Sequence, residues 1–448
     1  MVLEGQSAGA RSGASSAATW GSPQVLAPAS QSAFDPQLAV AADGQTLAGW
    51  FDGPPPSICA AMVCPHASPW SGSEVVLDPG TVDGGFGTPV VVSTHGSDSP
   101  EGLQLAISGA GVAYAAWEQK SGPWVISSAS RGGSFASPHT LLPRGVRLPH
   151  LVRSPTGPVA AVWSDRSSQL HYALLRPDGT LGRTITMGRW NGSAEGMPFA
   201  LNDRGEFAAI DTVGTTPQAP LVHVCNAAGR CSRPHEMRFG DIPAQVYEEN
   251  AIALSDDGTV TVLAAFSKPP KHPAPNTPFG LWAVVRRPGK HWSAPQELSR
   301  GGDEPIAVAD GNGSVTVLFD HSWTSRPRFL GNRLETSTLP ATGTSLTRPT
   351  IVRGLEAPEP STLVANNAGA YLIVGMPREP ESVANASIVA VSGSAGCLGT
   401  AQLVVSGEVS DHPPRAGIDR KGDAVVLWDE DSASGPHGVF AATLRAEP

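Results

Sequence analysis

VAADGQTLAGWFD (Val40–Asp52) and IDRKGDAVVLWDED (Ile418–Asp431) follow one order of residue types: an apolar start, a polar turn closed by Gly, an apolar run, a Trp and a carboxylate. Six more stretches fall into line on the Gly that closes the turn. They are LAISGAGVAYAAW (Gly111), LVRSPTGPVAAVW (Gly157), FALNDRGEFAAID (Gly205), IALSDDGTVTVLAAF (Gly258), IAVADGNGSVTVLF (Gly313) and TLVANNAGAYLIV (Gly369). Gly44 and Gly422 stand 378 residues and seven intervals apart, 54 per repeat. Each copy reads as a short strand, a hairpin turn and an apolar strand, with Gly, Asn and Asp supplying the backbone shapes a tight turn needs.

A second motif, apolar-x-x-Pro-x-x-apolar, recurs out of phase with the first. It is written WGSPQVL (Trp20), FGTPVVV (Phe86), FASPHTL (Phe135), CSRPHEM (Cys231), WSAPQEL (Trp292) and LTRPTIV (Leu346), with Thr in place of Pro in LGRTITM (Leu181) and CLGTAQL (Cys397). Pro cannot donate a ladder bond, so this motif belongs to an outer edge strand. Third strands such as PWVISSAS, QLHYALL, GLWAVVR and GVFAATL lie between the two motifs. Four strands in each of eight units, with no helical period, predict an all-β fold: a single β-propeller of eight four-stranded blades. Seven blades is the alternative, should one copy be an added hairpin. The last copy lacks an outer strand and the first outer strand lacks a blade. Residues 19–27 are therefore expected to complete the C-terminal blade of a propeller spanning 19–448, behind a flexible segment 1–18.

Gly (50) and Pro (42) make up a fifth of the 448 residues, consistent with many turns, and the net charge is −10. An acidic chain without a basic patch argues against nucleic acid and anionic membranes as partners. No run approaches 18 apolar residues, which excludes a transmembrane helix from the reading. The first twenty residues are polar and rich in Ser, Ala and Gly, as often found after a cleaved signal, and a secreted or cell-surface monomer is expected. Cys59 and Cys64 flank AAMV, Cys225 and Cys231 flank NAAGR, and Cys397 stands alone. Two short disulfide loops suit an oxidising compartment.

In this topology the ends of the second strands and the blade-to-blade loops share one face. The strand ends carry Asp52, Glu118, Asp165, Asp211, Asp320 and Asp429. The loops add Glu101, Glu248, Glu249, Asp303 and Glu304. Close carboxylates raise one another's pKa or recruit a cation, with Ca²⁺ the candidate. The alternatives are Asp side chains that each cap their own loop, or catalytic carboxylates. Asp429 and Asp52, at the seam, are expected to approach. Trp50, Trp117, Trp163 and Trp428 read as inter-blade core, and Trp70, Trp124, Trp190 and Trp323 as candidates for ligand stacking. There is no G-x-S-x-G elbow and no phosphate-binding loop.

The repeats resemble those of secreted bacterial propellers grouped with sialidases. The resemblance covers nearly the whole chain and rests on blade grammar. It implies a glycan-active site at the channel mouth and, for a sialidase, an Arg clamp to which Arg147, Arg153, Arg166 and Arg378 could contribute. The Asp boxes of that family, S-x-D-x-G-x-x-W, are absent: SDDGTVTV at Ser255 does not fit, and the Asp-Gly turns here join first to second strands. The expected function is an extracellular, non-catalytic binding or interaction propeller with a carbohydrate or protein ligand. The alternative is a glycan-active hydrolase or lyase.

Overall fold

A computed structural model describes residues 19–446, apart from 29–32, 54–72, 94–99, 120–121, 191–198, 212–219, 238–244, 268–278, 322–332, 357–361, 378–386, 395, 408, 410–411 and 431–437. It is all-β: eight antiparallel sheets arranged as an eight-bladed propeller, with no helix among the described residues. We number the blades 1–8 by their turn glycines, Gly44 to Gly422. In blades 1 to 7 the strands follow chain order from the axis outward, as do the first three of blade 8. Blade 8 is completed from the other end of the chain. Gln24–Ala27 pairs with Gly438–Leu444, Trp20 bridges Leu444, and Gly21 N donates to Thr443 O at 2.8 Å.

The turns form as their residues dictate. In blade 1, Ala41 N donates to Gln45 O and Gly44 N to Ala41 O, which leaves Gly44 at φ +85°. This is a three-residue hairpin loop whose last residue must be left-handed, hence the recurring Gly. In four of the eight copies an Asn or Asp three before the Gly caps the turn. Asn202, Asp310, Asn366 and Asp419 each accept two backbone N–H bonds through Oδ1.

The Pro motif marks the outer strand from just outside it. Pro23, Pro138, Pro234, Pro295 and Pro349 each directly precede one. Where Thr400 stands instead, its N–H is available and the strand runs unbroken over Cys397–Ser406. The motif's first residue bridges the end of the third strand in four blades, as Trp20–Leu444, Leu181–Leu175, Cys231–Cys225 and Trp292–Arg286. In blade 4 that pair is the disulfide Cys225–Cys231. Cys397 is free and exposed. Cys59 and Cys64 lie outside the described residues.

The core lies between blades. Leu47 and Phe51 pack against Ala115 and Trp117 of blade 2, while Ala48 and Trp50 pack against Val425 and Leu427 of blade 8. Second strands are apolar on both sides because both sides are covered. The inner strands of blades 8 and 1 approach closely: a Cβ on Gly417 would lie 2.6 Å from Val40 Cβ.

Candidate functional site

The channel has two unlike ends. At the hairpin end, five of the eight turns donate a backbone N–H to the next blade. Gly109 N donates to Gly157 O (2.7 Å), Thr156 N to Asp203 Oδ1 (2.8 Å), Asp203 N to Asp256 Oδ1 (2.8 Å), Gly311 N to Asn367 O (3.3 Å) and Arg420 N to Ala42 O (2.9 Å). Asn367 then closes the ring across its diameter. From blade 7 its Nδ2 reaches Thr156 Oγ1 of blade 3 at 3.0 Å and Asp203 Oδ2 of blade 4 at 2.5 Å, and the Thr156 hydroxyl also donates to Asp203. Burial and the neighbouring Asp203 carboxylate raise the pKa of Asp256, against the N–H bond it accepts. This hub shuts one end of the channel.

The other end is the mouth, where second strands finish opposite the beginnings of inner strands. Here the structure corrects the expectation for Glu101, Glu248, Glu249, Asp303 and Glu304, which lie within inner strands rather than in loops. Those strands carry a repeated device invisible to the motif search. The register slips by one residue between Phe34 and Gln37, Glu101 and Gln104, Arg147 and His150, and Asp303 and Ile306. Each slip is a β-bulge, which re-aims side chains at a sheet edge. The bulged residues Asp35, Gly102 and Glu304 have φ of 50°, 61° and 45°. Left-handed Asp and Glu cost roughly 1–2 kcal/mol each. The recurring signal in the sequence was the Pro after the bulge, at Pro36, Pro149 and Pro305.

The predicted carboxylates share this end but remain in their own blades. Asp52 faces Glu74 across the strand pair, and burial and then Glu74 raise its pKa. Glu118 faces Glu101, and burial and then Glu101 raise it, while the Trp124 indole opposes. Asp320 faces Asp303 in the same way. Asp211 is fully buried in blade 4, opposite Leu221. Asp165 caps its own loop, accepting from Ser167 N, Ser167 Oγ and Gln169 N at 2.7–2.9 Å, and these bonds with His171 hold its pKa well below the usual range. Among the described residues no three His, Cys, Asp or Glu side chains converge as a cation cage.

Asp429 is the exception to this isolation, and its neighbours are not the expected ones. Its carboxylate, 1% exposed, holds His412 Nδ1 at 2.9 Å, while most of the imidazole faces solvent. Its field reaches Asp35 of blade 1 rather than Asp52. Asp35 accepts from Gln37 Nε2 at 2.9 Å, and Arg415 Nε donates to Pro36 O at 3.4 Å. Burial raises the Asp35 pKa, against the opposing pull of Arg415, the Gln37 bond and His412. The seam between blades 8 and 1 thus gathers two carboxyls, an imidazole, a guanidinium and an amide.

Two other expectations fail. Trp124 and Trp190 are 5% and 3% exposed and serve as core between blades; Trp70 and Trp323 lie outside the described residues. Arg147 and Arg153 sit at opposite ends of one strand, so they form no clamp, and Arg378 lies outside the described residues.

No family model and no curated protein matches the chain. Solved structures share its outline. A protein of unknown function from Dyadobacter fermentans is 12% identical with a TM-score of 0.44, over 95% of this chain and 98% of that one. A polysaccharide lyase is 9% identical with a TM-score of 0.46 over 99% and 93%. A lectin from Burkholderia pseudomallei is 12% identical with a TM-score of 0.47 over 84% and 99%. At such identities residues cannot be matched one to one, and none of these likenesses bears on what this chain binds.

Proposed function

We propose that the protein is an extracellular, non-catalytic binding propeller that takes a carbohydrate or protein ligand on its mouth face, over the seam of blades 8 and 1. The observation that carries this reading is the mixed polar cluster at the mouth end, opposite the hub. It gathers donors and acceptors from two blades: Arg415, His412, Gln37 and Asp35. The disulfide Cys225–Cys231 suits an oxidising compartment.

One observation favours the second reading, a glycan-active enzyme. A buried carboxylate orienting an exposed imidazole, beside a carboxyl whose pKa is raised, is an arrangement able to move protons. The test of both readings is a glycan array probed with the intact protein and with His412→Ala and Asp35→Asn, followed by product assays on every glycan retained. Binding that both substitutions weaken, without bond cleavage, supports the binding propeller. Release of reducing ends or unsaturated products, lost in His412→Ala, replaces it with the enzyme. Binding that neither substitution alters moves the site away from the seam.

A further inference from the structure

Arg153 ends the inner strand of blade 3, at the hub end of the channel. Its Nη1 donates to Val40 O of blade 1 at 2.7 Å. A guanidinium has five N–H donors, and the other four meet no acceptor among the described residues. No charged neighbour acts on the group, and burial alone lowers its pKa. The side chain is half-buried, so its remaining donors face the channel space, where a bound carboxylate could take them.

Arg153 also lines a cavity of about 230 Å³, walled by the inner strands of blades 3 to 7. The wall is apolar apart from the guanidinium and the strand backbones, with Phe199, Leu201, Leu254, Val308 and Ala365 among its side chains. The hub turns lie beyond it and the mouth before it.

We propose that this cavity binds a small organic monocarboxylate, with its apolar body against the inner strands and its carboxylate on Arg153. The planar guanidinium fork matches a carboxylate. One negative charge balances one guanidinium, whereas a dianion would leave charge unpaired in an apolar wall. A dry cavity of about 150 Å³ accepts benzene, so this one has room for a ligand of about nine non-hydrogen atoms, the size of benzoate. The site lies at the far end of the channel from the seam cluster and does not depend on what binds there.

Calorimetry on the full chain tests this with benzoate, benzyl alcohol, acetate and sulfate. The expected result is one benzoate per chain, bound at least about tenfold more tightly than the other three. Arg153→Met should lower benzoate affinity at least about tenfold and leave benzyl alcohol unchanged. Ala365→Phe, which fills the cavity from the blade opposite Arg153, should remove both. If Arg153→Met does not fold, Arg153→Lys, which keeps the charge but loses the fork, should still weaken benzoate. No benzoate binding at millimolar concentration overturns the proposal. So does benzoate affinity unchanged in Ala365→Phe, or acetate or sulfate bound as tightly as benzoate.

Discussion

The two ends of the channel use the same residue types for opposite purposes. At the hub, polar groups are shared between blades: Asp203 serves Thr156 of one neighbouring blade and Asn367 from across the ring, while its own N–H goes to Asp256. At the mouth, these carboxylates stay within a blade: Asp165 caps its own loop, and Glu118 and Asp52 face carboxylates of their own sheets. Among the described residues, few contacts there join blades: Gln104 bonds Pro149 O and Leu151 N of blade 3, Thr362 Oγ1 donates to Pro414 O of blade 8, and the seam cluster joins blades 8 and 1. Shared bonds close a ring and leave little to offer a ligand. Retained ones leave the rim free to vary. Stability and recognition are thereby separated along one axis.

The contrast presupposes a closed ring, so its severest test is to open it. Deleting residues 1–30 removes buried Leu26 and Ala27 and the pairing with Gly438–Leu444. Urea unfolding should show a loss of about 5 kcal/mol, from one large side chain, exposed core and several ladder bonds. Unchanged stability would mean that another segment closes blade 8. A smaller loss is expected at the hub alone. Asp203→Ala strands the Thr156 amide and hydroxyl and the Asn367 amide, and should cost about 3 kcal/mol in the same measurement. The matching change at the mouth, His412→Ala, removes a largely exposed ring and should cost no more than about 1 kcal/mol. If His412→Ala proves the more damaging of the two, the division of labour is reversed.

Amide exchange resolves the contrast more finely. The N–H groups of Thr156, Asp203 and Arg420 should exchange at least about tenfold more slowly than those of Ser167 and Gln169 in a mouth loop. Acid gives the smallest effect, with opposite signs at the two ends. Asp256 has a raised folded pKa, so its contribution is fullest below the ordinary carboxylate range and is lost as pH rises through the folded value. Asp165 has a lowered one, so its contribution is present above the ordinary range and is lost as pH falls toward the folded value. Between pH 7 and pH 4, Asp256→Asn should remove a stabilising response to acid and Asp165→Asn a destabilising one. Responses of equal sign would refute the assignment.

The blade count, strand order and seam were legible because each rests on local chemistry repeated eight times: a Gly that must be left-handed and a Pro that must stay off the ladder. The pairing of Cys225 with Cys231 was legible for the same reason, a short hairpin holding both ends. The bulges at Asp35, Gly102 and Glu304 were not, because a bulge is a mismatch between two strands and neither strand shows it alone. Nor was the Asp35–His412–Asp429–Arg415 cluster, whose members are brought together only by ring closure, from positions nearly 380 residues apart. Trp124 and Trp190 were misread because burial between blades depends on facing side chains that strand position does not reveal. Arg153 was grouped with Arg147 by type, though the strand between them carries them to opposite ends of the channel.

The strand Gln24–Ala27 is among the first parts of the propeller to be synthesised, and its partner, Gly438–Leu444, is among the last. At about 5–20 residues per second, some 400 residues of chain take roughly 20 to 80 seconds. Throughout that time the strand's exposed edge and Leu26 have no native partner, while seven blades can stack in the order they emerge. The protein therefore spends its early life as an open arc with an adhesive end, able to pair with the blade 8 of another copy before its own is made. Crowded nascent chains on one message are where such swapped rings would arise, and slower, more dilute synthesis is what would favour each ring closing on itself.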